Sequence, residues 1–273
     1  MSPKSTVASL SVNAKLNDDF LNNCYRGDVE AVKSSIEAGA DVNCTFGLGI
    51  TGLMLCKTPE LLEVLIKKGA NVNLANSSGV TALMTQGDSL EKVRMLFDAG
   101  AEVNAVSNVG VTALMNARAP DAVAFLLEKK ADVNARDKSK TSVLMHAVMR
   151  GGEARRNYHY SKEDQCKTIK LLIKEGAQIN YRRKSDRKTA LMMVRELDDA
   201  ILLIEANADV TLKDTKHKLA HQQSHLKGKE SEKIEAYLKA CLENCLLKKS
   251  SFSAINDTPS SIEIPANIQR KRL

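Results

Sequence analysis

The residue types best suited to chemistry are gathered near the end of the chain. Histidines recur at intervals of four residues, and two cysteines repeat that interval further on: His217, His221, His225, Cys241 and Cys245. Side chains four residues apart share one face of a helix, and zinc binds imidazole nitrogen and thiolate sulfur. One interpretation is therefore a metal site formed by His221, Cys241 and Cys245. The other, which we favour, is that they are ordinary residues of a terminal helix pair without a bound metal.

No other grouping of residues carries a catalytic signature. The sequence has no phosphate-binding loop, no dinucleotide-binding glycine motif, no HExxH pair and no nucleophile elbow. Its six cysteines include no CxxC pair, so we expect reduced thiols in a reducing compartment. We therefore expect neither catalytic residues nor a cofactor.

Composition excludes further classes of protein. Apolar residues make up 43% and charged residues 27% of the 273 residues. No stretch reaches the roughly 18 uninterrupted apolar residues that a membrane-spanning helix needs, and the first residues lack the apolar core of a signal peptide. We expect a cytoplasmic protein without a cleaved leader and without a membrane partner.

The elements that must position these side chains are internal repeats. One landmark, with the pattern Gly-Ala-Asp-Val-Asn and small variations, begins at Gly39, Gly69, Gly100, Lys130, Gly176 and Asn207. A second, with the pattern Thr-Ala-Leu-Met, begins at Thr51, Thr81, Thr112, Ser142 and Thr189. The first landmark recurs every 30 or 31 residues, except for one interval of 46. Such a period indicates units that each pack on their neighbours.

Each unit is predicted to contain a helix, a short turn, a second helix and a loop. Between the landmarks the apolar residues fall at helical spacing, as in residues 61–66 and 169–173. The Thr or Ser of the second landmark is expected to cap the first helix by accepting a backbone N–H. The Gly of the first landmark is expected to end the second helix in the left-handed conformation. Lys130 and Asn207 replace that Gly, so we expect strain at Lys130 in particular.

These landmarks resemble the ankyrin repeat, whose signature joins a T-P-L-H-x-A start, a helix pair and a G-A-D-V-N ending. The resemblance covers residues 16–245 and implies an all-α ankyrin-repeat solenoid of about seven helix-pair units with finger-like loops. The predicted boundaries are a flexible N-terminus at 1–15, the repeat domain at 16–246 and a disordered C-terminal tail at 247–273. The units are expected at residues 16–43, 44–73, 74–104, 105–134, 135–180, 181–211 and 212–246.

Methionine stands where the ankyrin family usually has histidine. These residues are Met54, Met84, Met115, Met145 and Met192. A row of thioethers could form a soft-metal or adaptable binding site. We interpret the row instead as a packed stripe between repeats, because methionine fills irregular gaps in a core.

Positive charge is concentrated in the second half of the chain. Residues 1–134 carry 12 basic and 15 acidic side chains, whereas residues 135–230 carry 21 basic and 13 acidic ones. We predict a partner-binding surface in the basic loops between units: Arg136, Lys138, Lys140, Arg182, Arg183, Lys184, Arg187, Lys216 and His217. Such a surface favours a protein partner with an acidic surface, and ordinary solvated loops are the alternative. Because the loop tips lack aromatic residues, we do not expect base stacking with a nucleic acid.

The 46-residue interval adds about 15 residues between the helices of unit five, at residues 150–165. Loops longer than about 12 to 15 residues without structure are usually functional or disordered. This insertion carries residue types that dominate protein interfaces: Arg155, Arg156, Tyr158, His159 and Tyr160. We predict that it binds the partner, and a neutral insertion is the alternative.

Stacked helix pairs expose an open surface, which suits the binding of another macromolecule better than the enclosure of a substrate. Our leading interpretation is a non-enzymatic, monomeric protein–protein interaction scaffold. The resemblance to bacterial ankyrin proteins further implies an effector secreted into a host cell. The tail is then either an export signal or, as we favour, a passive extension. Two alternatives stay open: nucleic-acid or chromatin binding through the basic loops, and an inhibitor or immunity protein of a bacterial enzyme.

The resemblance also implies a modification. Asn43, Asn73, Asn104 and Asn134 match the position that asparaginyl hydroxylase modifies in ankyrin domains. As their main role, however, we favour hydrogen bonding between neighbouring loops.

Overall fold

A computed structural model describes residues 3–150, 161–223 and 229–252 of the protein. The chain divides into two compact units, Met1–Lys138 and Ser139–Leu273, and each is described by itself. Within the described residues the regular secondary structure is helical, apart from one antiparallel pair of short strands, β1 (Thr45–Phe46) and β2 (Ile50–Thr51). The all-α class predicted from the sequence is confirmed.

Helix pairs follow one another along the first unit. Its helices are α1 (Pro3–Arg26), α2 (Val29–Glu37), α3 (Gly52–Leu55), α4 (Pro59–Lys67), α5 (Ala82–Thr85), α6 (Leu90–Asp98), α7 (Ala113–Asn116) and α8 (Pro120–Glu128). The four-residue helix α5 contacts α3 and α7, while the nine-residue helix α6 contacts α4 and α8. Short helices therefore stack on short helices and long helices on long ones, as expected of repeats.

The second unit has fewer and longer helices. They are α9 (Val143–Met149), α10 (Lys162–Lys174), α11 (Leu197–Glu205) and α12 (Lys229–Phe252), with 3-10 turns at Leu191–Met193 and Ala220–Gln222. α10 contacts α9 and α11, α11 contacts α12, and the two 3-10 turns contact each other. The first 3-10 turn overlaps the second landmark, where the first unit has a short helix.

Hydroxyl side chains cap some of the short helices, but not all that the sequence predicts. Thr112 and Ser142 each accept the backbone N–H of the residue three positions later, at 3.3 Å in both cases. Thr51, Thr81 and Thr189 make no such bond, so the predicted side-chain cap is wrong at these three positions. At Thr81 the N–H of Met84 donates instead to the Thr81 carbonyl oxygen, at 3.1 Å, and the hydroxyl has no N–H to accept.

Left-handed residues end the longer helices, as predicted. The glycines at this position are Gly39, Gly69, Gly100 and Gly176, with φ between 85° and 101°. Lys130 and Asn207 adopt the same conformation, with φ of 65° and 64°. At Lys130 the turn is closed by its own N–H donating to Leu127 O at 3.0 Å. Lys130 therefore holds a backbone conformation that is unfavourable for an L residue.

The methionines of the second landmark are core residues. Met84 is 3% exposed, and Met115, Met145 and Met192 are each 1% exposed. Met54 is half-buried. The four buried methionines confirm the interpretation of this row as packed core, and each of them lies in the core of the unit to which it belongs.

Both terminal helices extend past the predicted domain boundaries. α1 begins at Pro3, inside the segment that the sequence analysis assigns to a flexible N-terminus, and α12 continues to Phe252, inside the predicted tail. Proline is tolerated in the first turn of a helix. No glycine or further proline interrupts either helix. None of the described helices is long and apolar enough to span a membrane.

Candidate functional site

Several of the loops between repeats, including one that carries predicted binding residues, are tight hairpins. In the first unit Ser107 N–H donates to Val111 O at 2.9 Å, and an equivalent bond of 2.9 Å closes the loop at residues 76–80. In the second unit Arg183 N–H donates to Lys188 O at 2.9 Å. The side chains at the loop tips are therefore held on a defined backbone.

Main-chain hydrogen bonds also join each loop tip to the next within a unit. Asn108 N–H donates to Ser78 O at 2.8 Å, and Ser77 N–H is bonded in the same way, at 2.8 Å, to the preceding loop. In the second unit Thr215 N–H donates to Asp186 O at 2.9 Å. The tips thus form a bonded row rather than separate mobile loops.

The asparagine of the first landmark ties each repeat to the next. Asn73 Nδ2 donates to Gly100 O at 2.9 Å, and Asn73 Oδ1 accepts Glu102 N–H at 2.9 Å. Asn43 makes the same two bonds at 3.4 and 2.7 Å, and Asn104 makes them at 3.0 and 2.9 Å. Hydrogen bonding between neighbouring loops, the role that we favour for these residues, is confirmed at all three.

One position of the loop tip differs between the units. In the first unit it is glycine with positive φ: Gly49 (83°), Gly79 (72°) and Gly110 (80°). In the second unit the same position, two residues before the second landmark's Thr or Ser or its equivalent, holds Lys140 (61°), Arg187 (58°) and His217 (59°). We call Lys140, Arg187 and His217 the non-glycine tips. Each keeps a basic side chain in a left-handed conformation that glycine adopts without strain.

Two aspartates stabilise the loops of the second unit. Asp186 accepts hydrogen bonds from Arg183 Nε at 3.0 Å and from Lys188 N–H at 3.2 Å. The hydrogen bond from Arg183 is the main cause that lowers the pKa of Asp186, against the opposing effect of burial. Burial also acts to raise the pKa of Asp214, but hydrogen bonds from Lys218 N–H and from other donors outweigh it, so that this pKa too is lowered. Both carboxylates are therefore charged at neutral pH.

A small cavity lies beside these loops in the second unit. It has a volume of about 150 Å³ and is lined by Met149, Arg183, Lys188, Met193 and Arg195. Met149 is the last residue of α9, Met193 ends a 3-10 turn, and Arg195 follows that turn. The sequence analysis missed Met149, Met193 and Arg195 as site residues, because nothing in their spacing indicates that they meet the basic loop.

Comparison with known families decides what these repeats are. The family model described as ankyrin repeats, in three copies, matches residues 21–107. Residues 21–107 therefore contain ankyrin repeats. No curated protein matches the chain. Ankyrin repeats generally mediate protein–protein interactions and the family is generally non-enzymatic.

The basic residues predicted to bind a partner fall into two groups. Arg182 donates to the carbonyl oxygen of Lys213, and Arg183 forms an ion pair with Asp186. These two arginines support the loop structure. The remaining predicted residues are exposed: Arg136, Lys138, Lys140, Lys184, Arg187, Lys216 and His217.

Two other predictions are not tested by the structure. The insertion residues Arg155, Arg156, Tyr158, His159 and Tyr160 lie outside the described residues, between Arg150 and Ser161. Hydroxylation of the landmark asparagines, including that of Asn134, stays a prediction.

The structure does not bring the suggested metal ligands together. In the part of the chain that the structure describes, no group of three or more His, Cys, Asp or Glu side chains is arranged to hold a metal ion, and this part includes His221, Cys241 and Cys245. None of the six cysteines forms a disulfide, as expected for reduced thiols. Burial raises the pKa of Cys24 to about 12 and that of Cys166 to about 11, which keeps both thiols protonated and unreactive at neutral pH.

Proposed function

We propose that the chain is a non-enzymatic scaffold whose ankyrin repeats bind a protein partner with an acidic surface, through the loop tips of the second unit. The observation that carries this proposal is the set of non-glycine tips. Lys140, Arg187 and His217 all have φ near 60°, where the first unit uses glycine. The resemblance to ankyrin repeats supports the class of partner, and the basic tips support its acidic character.

Backbone strain gives this observation its weight. A residue with a side chain in the left-handed region is disfavoured by roughly 1–2 kcal/mol, which glycine would avoid. The strain at Lys140 and Arg187 is not offset by ion pairs, because neither side chain forms one with any described residue. Strained positions that serve no packing purpose are typical of functional surfaces.

The test removes the basic tips without harming the fold. In the variant Lys140→Gly/Arg187→Gly/His217→Gly, relief of strain should leave the Tm equal or higher, while loss of charge should weaken partner binding by about tenfold or more. The control is Lys130→Gly/Asn207→Gly, which relieves the same kind of strain at helix ends. It should raise the Tm and leave binding unchanged.

Binding would be measured by affinity capture from a nuclease-treated lysate of the source organism, followed by titration of the purified partner at 50 and 200 mM salt. Equal capture by the tip variant and the wild type would contradict the proposal. Capture that disappears on nuclease treatment would favour the alternative of nucleic-acid binding, whose affinity falls steeply with salt.

We propose the inserted loop as a second contact with the same partner. Its deletion must spare Ser161, which caps α10 together with Asp164, and Lys162, whose Nζ lies 2.9 Å from Asp198 Oδ2. A variant that lacks residues 151–160 should therefore keep its Tm and lose partner capture. Retained capture would rule out this contact.

The wider roles inferred from the resemblance are a secreted effector in a host cell and, as an alternative, an inhibitor of a bacterial enzyme. The partner identified by capture discriminates between them, because one would come from a host lysate and the other from the bacterium. A monomeric state is expected and is tested by light scattering of the purified chain.

A further inference from the structure

The cavity beside the basic loop of the second unit has a mixed lining. Arg183, Lys188 and Arg195 form its cationic part, and Met149 and Met193 form its apolar part. Met149 is 38% exposed, whereas four of the five landmark methionines are almost fully buried. An exposed thioether next to guanidinium and ammonium groups is suited to a ligand that is both anionic and apolar.

The size of the cavity restricts the ligand. Its volume of about 150 Å³ is smaller than the roughly 300–1,000 Å³ of pockets that enclose a whole small molecule or cofactor. The cavity can therefore enclose one or two side chains of a larger partner.

The charges around the cavity leave cationic groups available. Arg183 is held by its ion pair with Asp186, which fixes the orientation of its guanidinium group. Among the described residues of this unit, no carboxylate forms an ion pair with Lys188 or Arg195. The backbone N–H of Lys188 donates to Asp186, but its ammonium group does not. The ammonium group of Lys188 and the guanidinium group of Arg195 can therefore each donate hydrogen bonds to a ligand carboxylate.

We infer that this cavity binds the carboxylate of a Glu or Asp side chain in the partner, with Met149 and Met193 packing against an apolar residue next to it. The inference rests on the proposed function, because it supposes a protein partner, and it adds a sequence preference to it. Arg195 and Lys188 would contact the carboxylate through charge-assisted hydrogen bonds. The preferred peptide is an acidic residue beside a leucine, isoleucine, methionine or phenylalanine.

The probe is a set of capped, fluorescein-labelled peptides of serine and glycine that contain one Glu followed by one of those four apolar residues. A matched set has Gln in place of Glu. Binding to the full chain is read by fluorescence anisotropy at 100 mM salt. We expect the Glu set to bind at least about tenfold more tightly than the Gln set, the scale of one charge-assisted hydrogen bond.

Three variants locate the binding. Arg195→Gln should weaken binding of the Glu peptides about tenfold, and Met149→Gln should weaken binding of both peptide sets. Lys174→Gln is the control, because Lys174 is exposed at the end of α10 in the same unit and does not line the cavity. It should change the affinity by less than about twofold. The Tm of each variant checks that the fold is retained.

Several results would overturn the inference. They are equal affinity for the Glu and Gln sets, equal losses in Arg195→Gln and Lys174→Gln, or displacement of the peptide by inorganic phosphate at a lower concentration than by free Glu peptide. The proposed function fails separately, when the glycine variant of the tips captures the partner as well as the wild type does. If Arg195→Gln loses partner capture while the glycine variant of the tips retains it, the cavity binds the partner and the non-glycine tips do not.

Discussion

Replacing Lys130 by glycine should stabilise the first unit. Lys130 has φ of 65°, and this conformation disfavours an L residue by roughly 1–2 kcal/mol. Glycine removes that strain, but its greater freedom in the unfolded chain offsets about 0.5–1 kcal/mol of the gain. The net increase in the free energy of unfolding should therefore be about 0.5–1 kcal/mol.

Nothing else in the structure is lost with this side chain. Lys130 is exposed, and its recorded hydrogen bonds use the main chain: its N–H donates to Leu127 O, and its carbonyl oxygen accepts Asn104 Nδ2 at 3.0 Å. Glycine keeps both bonds. Since 1 kcal/mol shifts the Tm of a domain of this size by roughly 2–4 °C, we expect a rise of about 1–4 °C in calorimetry of the full chain.

Lys68→Gly is the matched control. Lys68 is exposed at the end of α4, one residue before the left-handed Gly69, and has φ of −86°. Because no strain is relieved there, the entropy of the unfolded chain dominates and the Tm should fall. An unchanged or lower Tm in Lys130→Gly, or an equal rise in Lys68→Gly, would refute the reasoning.

Three further predictions concern the row of loop tips. In urea unfolding, Gly79→Ala should lower the free energy of unfolding by about 1–3 kcal/mol more than Gly100→Ala does. The reason is that a Cβ at Gly79 would lie 2.7 Å from Asn108 N, whereas a Cβ at Gly100 would have open space. Equal losses in the two variants would contradict this. Asn73→Ala removes two hydrogen bonds between repeats and should destabilise by about 1–2 kcal/mol in the same assay; an unchanged midpoint would show that these bonds do not contribute. Asp214→Asn should destabilise the protein at pH 7. Because the folded pKa of Asp214 is lowered, its contribution is present above the unfolded pKa of about 3.9 and is lost as pH falls through the folded pKa. The difference in Tm between variant and wild type should therefore shrink below about pH 4, and a constant difference down to pH 3 would contradict the assignment.

Much of the fold could be predicted because the repeat signals are local. The left-handed conformation of Lys130 and Asn207 followed from their place in the first landmark, where other copies have glycine. The burial of four of the five landmark methionines agrees with their interpretation as residues that fill gaps in the core. At Thr81 and Thr189 the side-chain cap failed because the main-chain carbonyl oxygen of the same residue accepts the N–H three positions later. The cap also failed at Thr51.

The candidate site was less accessible to such reasoning. Charge counting along the chain located the basic loops, but it treated Arg183 and Arg187 as equivalent. The structure shows one bound to Asp186 and the other exposed. Which arginine supports the loop depends on side-chain distances, and residue type alone does not encode them.

By itself the sequence determined the repeat class, the phase of the helices, the position of the basic loops and the left-handed residues that end the longer helices. All of these depend on residues a few positions apart, whose geometry the backbone sets. Only the tertiary structure decided that Met149, Lys188 and Arg195 line one cavity. They come from a helix end, a loop and the segment after a 3-10 turn. The packing of one repeat on the next determines their separation, and no local spacing records it.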